Sequence, residues 1–108
     1  MILRHALQFV VFAILPAAIG SLSASAQQGS AERGGRIYEK YCATCHGDDL
    51  VNNSGVAFDL RRLRADEHPR FVNSVLNGKK AMPAWQGVLS AEQLEDLWAY
   101  IRAHAYQE

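Results

Sequence analysis

An all-α fold of three main helices joined by long loops is what this 108-residue sequence predicts. Three observations carry that expectation. Apolar residues recur at helical spacing in three separate stretches, at positions 37–42, 71–76 and 94–105. Clusters of turn-forming residues separate those stretches. Nowhere does the strict alternation of a half-buried strand persist, and no internal repeat is present. The length leaves room for one domain.

The first segment stands outside that domain. Arg4 precedes the strongly apolar run ALQFVVFAILPAAIG, and SLSASA ends in the small residues Ala24, Ser25 and Ala26. This is the layout of a secretory signal peptide over residues 1–26, with cleavage after Ala26. The rival reading is an uncleaved membrane anchor. The apolar run is short against the roughly 20 residues of a full span, and Pro16 interrupts it. Residues 27–108 then form the mature domain. They contain no further apolar span, so the mature form is expected to be soluble and not membrane-spanning.

The first helix is expected from Ser30, a good N-cap, through AERGGRIYEKYC. Ile37, Tyr38, Tyr41 and Cys42 make its apolar face. Gly34 and Gly35 disfavour it by up to about 1 kcal/mol each relative to alanine. Glycine makes sense there if another backbone comes close. Residues 47–65 show no sustained period and are rich in turn formers. So long a loop in so small a domain needs an object to wrap. Asp66 is placed to cap a second helix ending near Asn77, with Pro69 in its first turn, a Phe71, Val72, Val75 and Leu76 stripe, and Gly78 as the stop. GKKAMPAWQGV reads as a loop. Ser90 and Gln93 form a capping box for the last helix, with Leu89 and Leu94 as the staple. Leu94, Leu97, Trp98, Ile101 and Ala105 share its buried face.

Charge excludes one function class. Eleven basic residues balance eleven acidic ones, and a near-neutral domain is a poor general nucleic-acid binder.

The only two cysteines lie together in Cys42-Ala43-Thr44-Cys45-His46. This is the attachment sequence of a c-type haem. Two intervening residues let both thiols reach one edge of a porphyrin and form thioethers with its vinyl groups. His46 then serves as an axial iron ligand through a ring nitrogen. A redox Cys-x-x-Cys would want a βαβ scaffold, and a zinc site a second Cys/His pair; the sequence has neither. Export to an oxidising compartment makes a disulfide a further competing account, but two thiols in one motif crosslink no distant loops. One covalent haem c through Cys42 and Cys45 is the expected cofactor.

A sixth iron ligand could come from Met82, His68, His104, Lys79 or Lys80. Met82 is the only methionine besides Met1. It sits beside Pro83 in a loop far enough along the chain to cross to the opposite haem face. His68 and His104 are expected as solvated side chains. A lone methionine is more often core filler, but in this loop the expectation is ligation by Met82.

These features resemble the small class I monohaem bacterial cytochromes c, over nearly all of residues 30–105. Gly34-x-x-Ile37-Tyr38 precedes the pentad at the family spacing. Met82-Pro83 matches the distal ligand loop. Leu97-x-x-Tyr100 matches the pair that crosses the first helix. The resemblance implies the cytochrome c fold around one haem and core packing for Trp98. Members often carry glycine-proline where this chain has Ala57-Phe58, the proline carbonyl accepting from the proximal histidine. Phe58 C=O is expected to take that role here.

With both axial positions filled by protein, no site for substrate remains. The expectation is a monomeric periplasmic one-electron carrier, not an enzyme. Val56, Phe58, Leu60, Phe71, Val75, Leu76 and Trp85 are the expected haem surface. Lys79, Lys80, Arg61, Arg62 and Arg64 are a candidate basic rim for acidic partners. Those partners are periplasmic redox proteins: a dehydrogenase as donor, of quinoprotein kind by a weak likeness, and an oxidase or cytochrome as acceptor. The alternative is a haem enzyme or a gas-binding sensor with a labile Met82.

Overall fold

The computed structural model describes Ala13 and residues 29–106. The expected signal segment, apart from Ala13, lies outside the described residues. Among the described residues four helices occur in chain order: α1 (Ala31–Tyr41), α2 (Ala43–His46), α3 (His68–Asn77) and α4 (Ala91–His104). Three are the main helices of the sequence expectation, and α2 is a single turn carrying the cysteine motif. Single 3-10 turns fall at Asp48–Leu50, Leu60–Arg62 and Ala65–Glu67. Among the described residues there is no strand, only isolated bridges at Lys79–Met82 and Gln86–Leu89. None of the described helices is long and apolar enough to cross a membrane.

Helices α1 and α4 form the frame. Ser30 Oγ accepts the Arg33 N–H at 3.2 Å and starts α1. Gly34 then meets α4 at backbone level: a Cβ there would stand 1.8 Å from the Asp96 carbonyl oxygen. One turn on, Tyr38 lies against Tyr100 with ring centroids 5.2 Å apart. Tyr38, Leu50, Leu97 and Ile101 are the largest fully buried side chains, each contributing about 1.5–3 kcal/mol through the apolar area it removes from water.

The frame also holds a buried carboxylate. Asp96 is 3% exposed. It accepts from Arg33 Nε at 2.8 Å, from Arg33 Nη2 at 2.9 Å and from the Ser30 N–H at 2.6 Å. The Arg33 guanidinium beside it holds its pKa below the ordinary carboxylate value; burial opposes this, and the Ser30 N–H assists. A buried charge is tolerable when its lone pairs are occupied in this way.

Helix α3 begins differently from the sequence expectation. Asp66 does not cap it. Its carboxylate accepts instead from Arg64 Nε at 3.1 Å. Asp66 lies inside the Ala65–Glu67 turn, too early to reach the first free N–H groups of α3. Glu67 Oε2 accepts the Arg64 N–H at 2.9 Å, closing that turn, and Pro69 occupies the helix start. His68 is not simply solvated. Its Nε2 lies 2.9 Å from Glu95 Oε1, and its ring meets Trp98 edge-on at 5.2 Å. Trp98 also packs on Phe71, as expected of a core residue. His104 is exposed, with Nδ1 2.8 Å from the Tyr100 carbonyl.

Helix α4 starts on its capping box. Ser90 Oγ accepts the Gln93 N–H at 3.1 Å, and Gln93 Oε1 accepts the Ser90 N–H at 2.9 Å. Leu89 and Leu94 are both buried. Beyond α4, the Tyr106 N–H donates to the Arg61 carbonyl at 2.8 Å. The chain thereby ties down the far end of the long loop.

Candidate haem-attachment site

Two segments meet at the cysteine motif, α2 with the turn after it and loop 52–58; the expected ligand Met82 lies in a separate turn. Cys42 is half-buried and Cys45 exposed; neither is in a disulfide. Burial, with Cys45 second, pushes the Cys42 thiol up to about 11. A redox Cys-x-x-Cys needs the opposite shift, toward thiolate. Among the described residues no three His, Cys, Asp or Glu side chains converge as a metal cage.

His46 is half-buried at the end of α2. Its Nδ1 lies 3.1 Å from the Phe58 carbonyl oxygen. A carbonyl can only accept, so Nδ1 carries the hydrogen and Nε2 presents its lone pair. Burial lowers the imidazole pKa, and the Phe58 bond opposes the shift. The lowered value favours the neutral ring, the form in which imidazole ligates a metal.

The chain after His46 turns sharply. Gly47 has φ +84°, and a Cβ there would stand 1.9 Å from the Val51 carbonyl oxygen. The Tyr38 hydroxyl donates to the Gly47 carbonyl at 2.5 Å. Asp49 and Leu50 come next, with φ of 52° and 64°. That left-handed pair is strained for residues with a side chain, and the complete burial of Leu50 holds it.

Met82 is half-buried and packs, like Cys42, Leu60 and Trp85, on the margin of the buried cluster. Its turn is closed by paired backbone bonds, Lys79 N–H to Met82 O at 3.1 Å and Met82 N–H to Lys79 O at 3.0 Å. Lys80 sits in that turn with φ +55°. The loop returns to α3, where the Trp85 N–H donates to Val75 O at 2.8 Å and the Gln86 N–H to Leu76 O at 3.2 Å. The Trp85 ring meets Tyr41 edge-on at 5.2 Å.

Exposed apolar side chains stand in the loop that carries the Phe58 carbonyl to His46. Val56 is 88% exposed and Phe58 42%, an arrangement that calls for an apolar cover. Leu60, Leu76 and Trp85 are half-buried. Phe71 and Val75, expected on the haem surface, are instead already buried against protein. An open hollow of about 630 Å³ lies beside Cys45 and loop 51–57, but neither His46 nor Met82 lines it.

The basic rim is narrower than expected. Arg61 is locked to Asp59 by two bonds of 3.0 Å, and Arg64 bonds Asp66. Lys79, Lys80 and Arg62 are exposed. Sequence reasoning missed Asp96, Asn52 and the Tyr38 hydroxyl as partners of this frame. Only Asn52 left a signal, as a turn former beside Ser54 and Gly55.

The family described as cytochrome c oxidase, cbb3-type, subunit III matches residues 29–101. Cytochrome c6 of Rippkaea orientalis is 35% identical over 103 residues, spanning 92% of this chain and 87% of that protein. Cytochrome c6 of Nostoc sp. is 34% identical over 89 residues, 79% of this chain and 80% of that protein. The quinohemoprotein alcohol dehydrogenase ADH-IIG of Pseudomonas putida is 34% identical over 79 residues, 69% of this chain and 11% of the enzyme. A solved structure of ADHIIG from Pseudomonas putida superposes with a TM-score of 0.60 and 26% identity, covering 94% of this chain and 15% of that one. The chain therefore spans only a small part of that dehydrogenase.

Proposed function

The chain belongs to the small class I cytochromes c, and from that premise we propose that it is a one-electron carrier of the periplasm. Cys42 and Cys45 would hold one haem c through thioethers. His46 Nε2 and Met82 Sδ would ligate its iron. Haem, when bound, supplies a reversible one-electron couple at iron. The protein's own residues do the rest. Phe58 orients His46, Met82 occupies the position a substrate would need, and the apolar side chains keep water from the porphyrin. A thioether ligand and a dry pocket both favour the ferrous state and raise the potential. Residues 1–26 direct export, and residues 27–108 form the carrier.

The observation that carries this reading is the His46 imidazole, fixed by the Phe58 carbonyl with Nε2 left for a metal, directly behind two unbridged cysteines. The partners are periplasmic redox proteins. Likeness to a segment of a quinohemoprotein dehydrogenase supports a separate quinoprotein dehydrogenase as donor, with an oxidase or another cytochrome as acceptor. Mass spectrometry of mature protein tests the core of the proposal: a covalent haem adduct is expected, and its absence would end it. An optical spectrum tests the ligands. The ferric protein should show the weak far-red band of Met–Fe(III); rapid carbon monoxide binding to the reduced protein without that band would favour a sensor or enzyme.

A further inference from the structure

Asn52 closes the loop that presents Phe58 to His46. Its side-chain amide donates to the Ala57 carbonyl at 2.6 Å, five positions on. Its Oδ1 accepts from the Ser54 N–H at 2.9 Å and the Ser54 hydroxyl at 2.7 Å. Ser54 Oγ in turn accepts the Val56 N–H at 3.3 Å. Asn52 is half-buried, whereas residues 53–56 are exposed. Its amide is thus the inner anchor of a loop whose outer residues meet water.

The anchored carbonyl stands one residue before the carbonyl that holds the imidazole. Ala57 and Phe58 carry successive peptide planes, and a planar peptide passes orientation along the chain through only two soft torsions per residue. Fixing the Ala57 carbonyl therefore restricts where the Phe58 carbonyl can point, and that carbonyl is the one 3.1 Å from His46 Nδ1. The loop contains no proline to do this covalently, and Gly55, at φ +69° in open space, would let it flex.

We infer that Asn52 is a positioning residue for His46: its amide clamps the Ala57 carbonyl so that the Phe58 carbonyl stays on Nδ1 and the imidazole keeps one tautomer and one orientation. This role rests on the haem reading of the site. Hydrogen bonds to the far nitrogen of a ligating histidine set its orientation and basicity, so the clamp acts on the iron through two intervening groups.

The test uses holoprotein whose covalent haem has been verified by mass, which separates failure of the clamp from failure of the haem reading. Nitrogen-15 NMR follows solvent exchange of the His46 Nδ1–H, with the backbone N–H groups of Leu97 and Ile101 as internal controls. Asn52→Ala should speed Nδ1–H exchange about fivefold or more, the factor that loss of about 1 kcal/mol of hydrogen bonding gives, with the controls unchanged. Asn52→Asp keeps the acceptor for Ser54 but loses the donor to Ala57, and should behave like Asn52→Ala. Should Asn52→Ala not fold, Asn52→Asp decides the question. Ser54→Ala keeps the donor and should stay near wild type. Wild-type exchange in Asn52→Asp, or exchange in Ser54→Ala as fast as in Asn52→Ala, would overturn the inference.

Discussion

Gly34 of α1 rests on the carbonyl of Asp96 in α4, so close that a Cβ would stand 1.8 Å from the oxygen. The obstacle is backbone, which cannot swing aside as a side chain can. Gly34→Ala is expected to destabilise the holoprotein by about 3 kcal/mol, because the helices must move apart. Gly35→Ala meets only the Tyr100 ring at 3.2 Å, and should cost less. Denaturant midpoints of the two variants check this; equal midpoints would contradict the close crossing.

Asp96 makes the same crossing sensitive to acid. Its folded pKa is depressed, chiefly by its hydrogen bonds to Arg33. The stabilisation is present above the unfolded carboxylate value of about 3.9 and is lost as pH falls through the folded value. Asp96→Asn should cost roughly 2 kcal/mol at pH 7, a moderate figure because Arg33 is half exposed. It should also flatten the decline in stability below about pH 4. Unfolding free energy measured against pH for both proteins gives the comparison, and parallel curves would rule the contribution out.

Removing the two cysteines proposed to anchor the haem should remove the fold. Loop 47–65 carries exposed apolar side chains at Val51, Val56 and Phe58 that need a cover. Cys42→Ala/Cys45→Ala is expected to give a largely unfolded chain by circular dichroism. A cooperative melt with native helix content would show that the protein part suffices.

Met82→Ala should abolish the far-red band and let carbon monoxide bind the reduced protein. His68, hydrogen-bonded to Glu95 and packed on Trp98, is not expected to take the vacated position. Retention of the band would mean that the ligand field comes from another side chain, and the assignment of Met82 would fall.

Lys79→Gln/Lys80→Gln should slow association with an acidic redox partner several-fold at low ionic strength, with the difference shrinking as salt is added. Arg61→Gln should do less to association, because Arg61 is already neutralised by Asp59. Stopped-flow rates across a salt series distinguish the two; identical rates for both variants and the wild type would dismiss steering.

Local chemistry was legible in the sequence. Ser30 and the Ser90–Gln93 pair cap their helices because capping depends on residues three apart, and the three- and four-residue spacing of Leu94, Leu97 and Ile101 directly encodes a buried face. Asp96 was not legible. Its partners lie 63 and 66 positions away, and no local pattern distinguishes it from the acidic residues on the solvated face of the same helix. Asp66 was misread for the opposite reason: a locally good cap was drawn off by Arg64 and by the 3-10 turn. In the candidate site, the Phe58 carbonyl contact was foreseeable only through the family resemblance, whereas the Asn52 clamp depends on a loop path that turn propensity alone does not determine.

Lys80 places an ammonium where the backbone would sooner have no side chain at all. A left-handed conformation at lysine is strained by about 1–2 kcal/mol relative to the glycine that would adopt it freely. Thermal selection in the laboratory would thus drift toward glycine at position 80. If the proposed steering of acidic partners holds, selection for fast encounter would instead keep the lysine, setting ruggedness against sociability at a single codon.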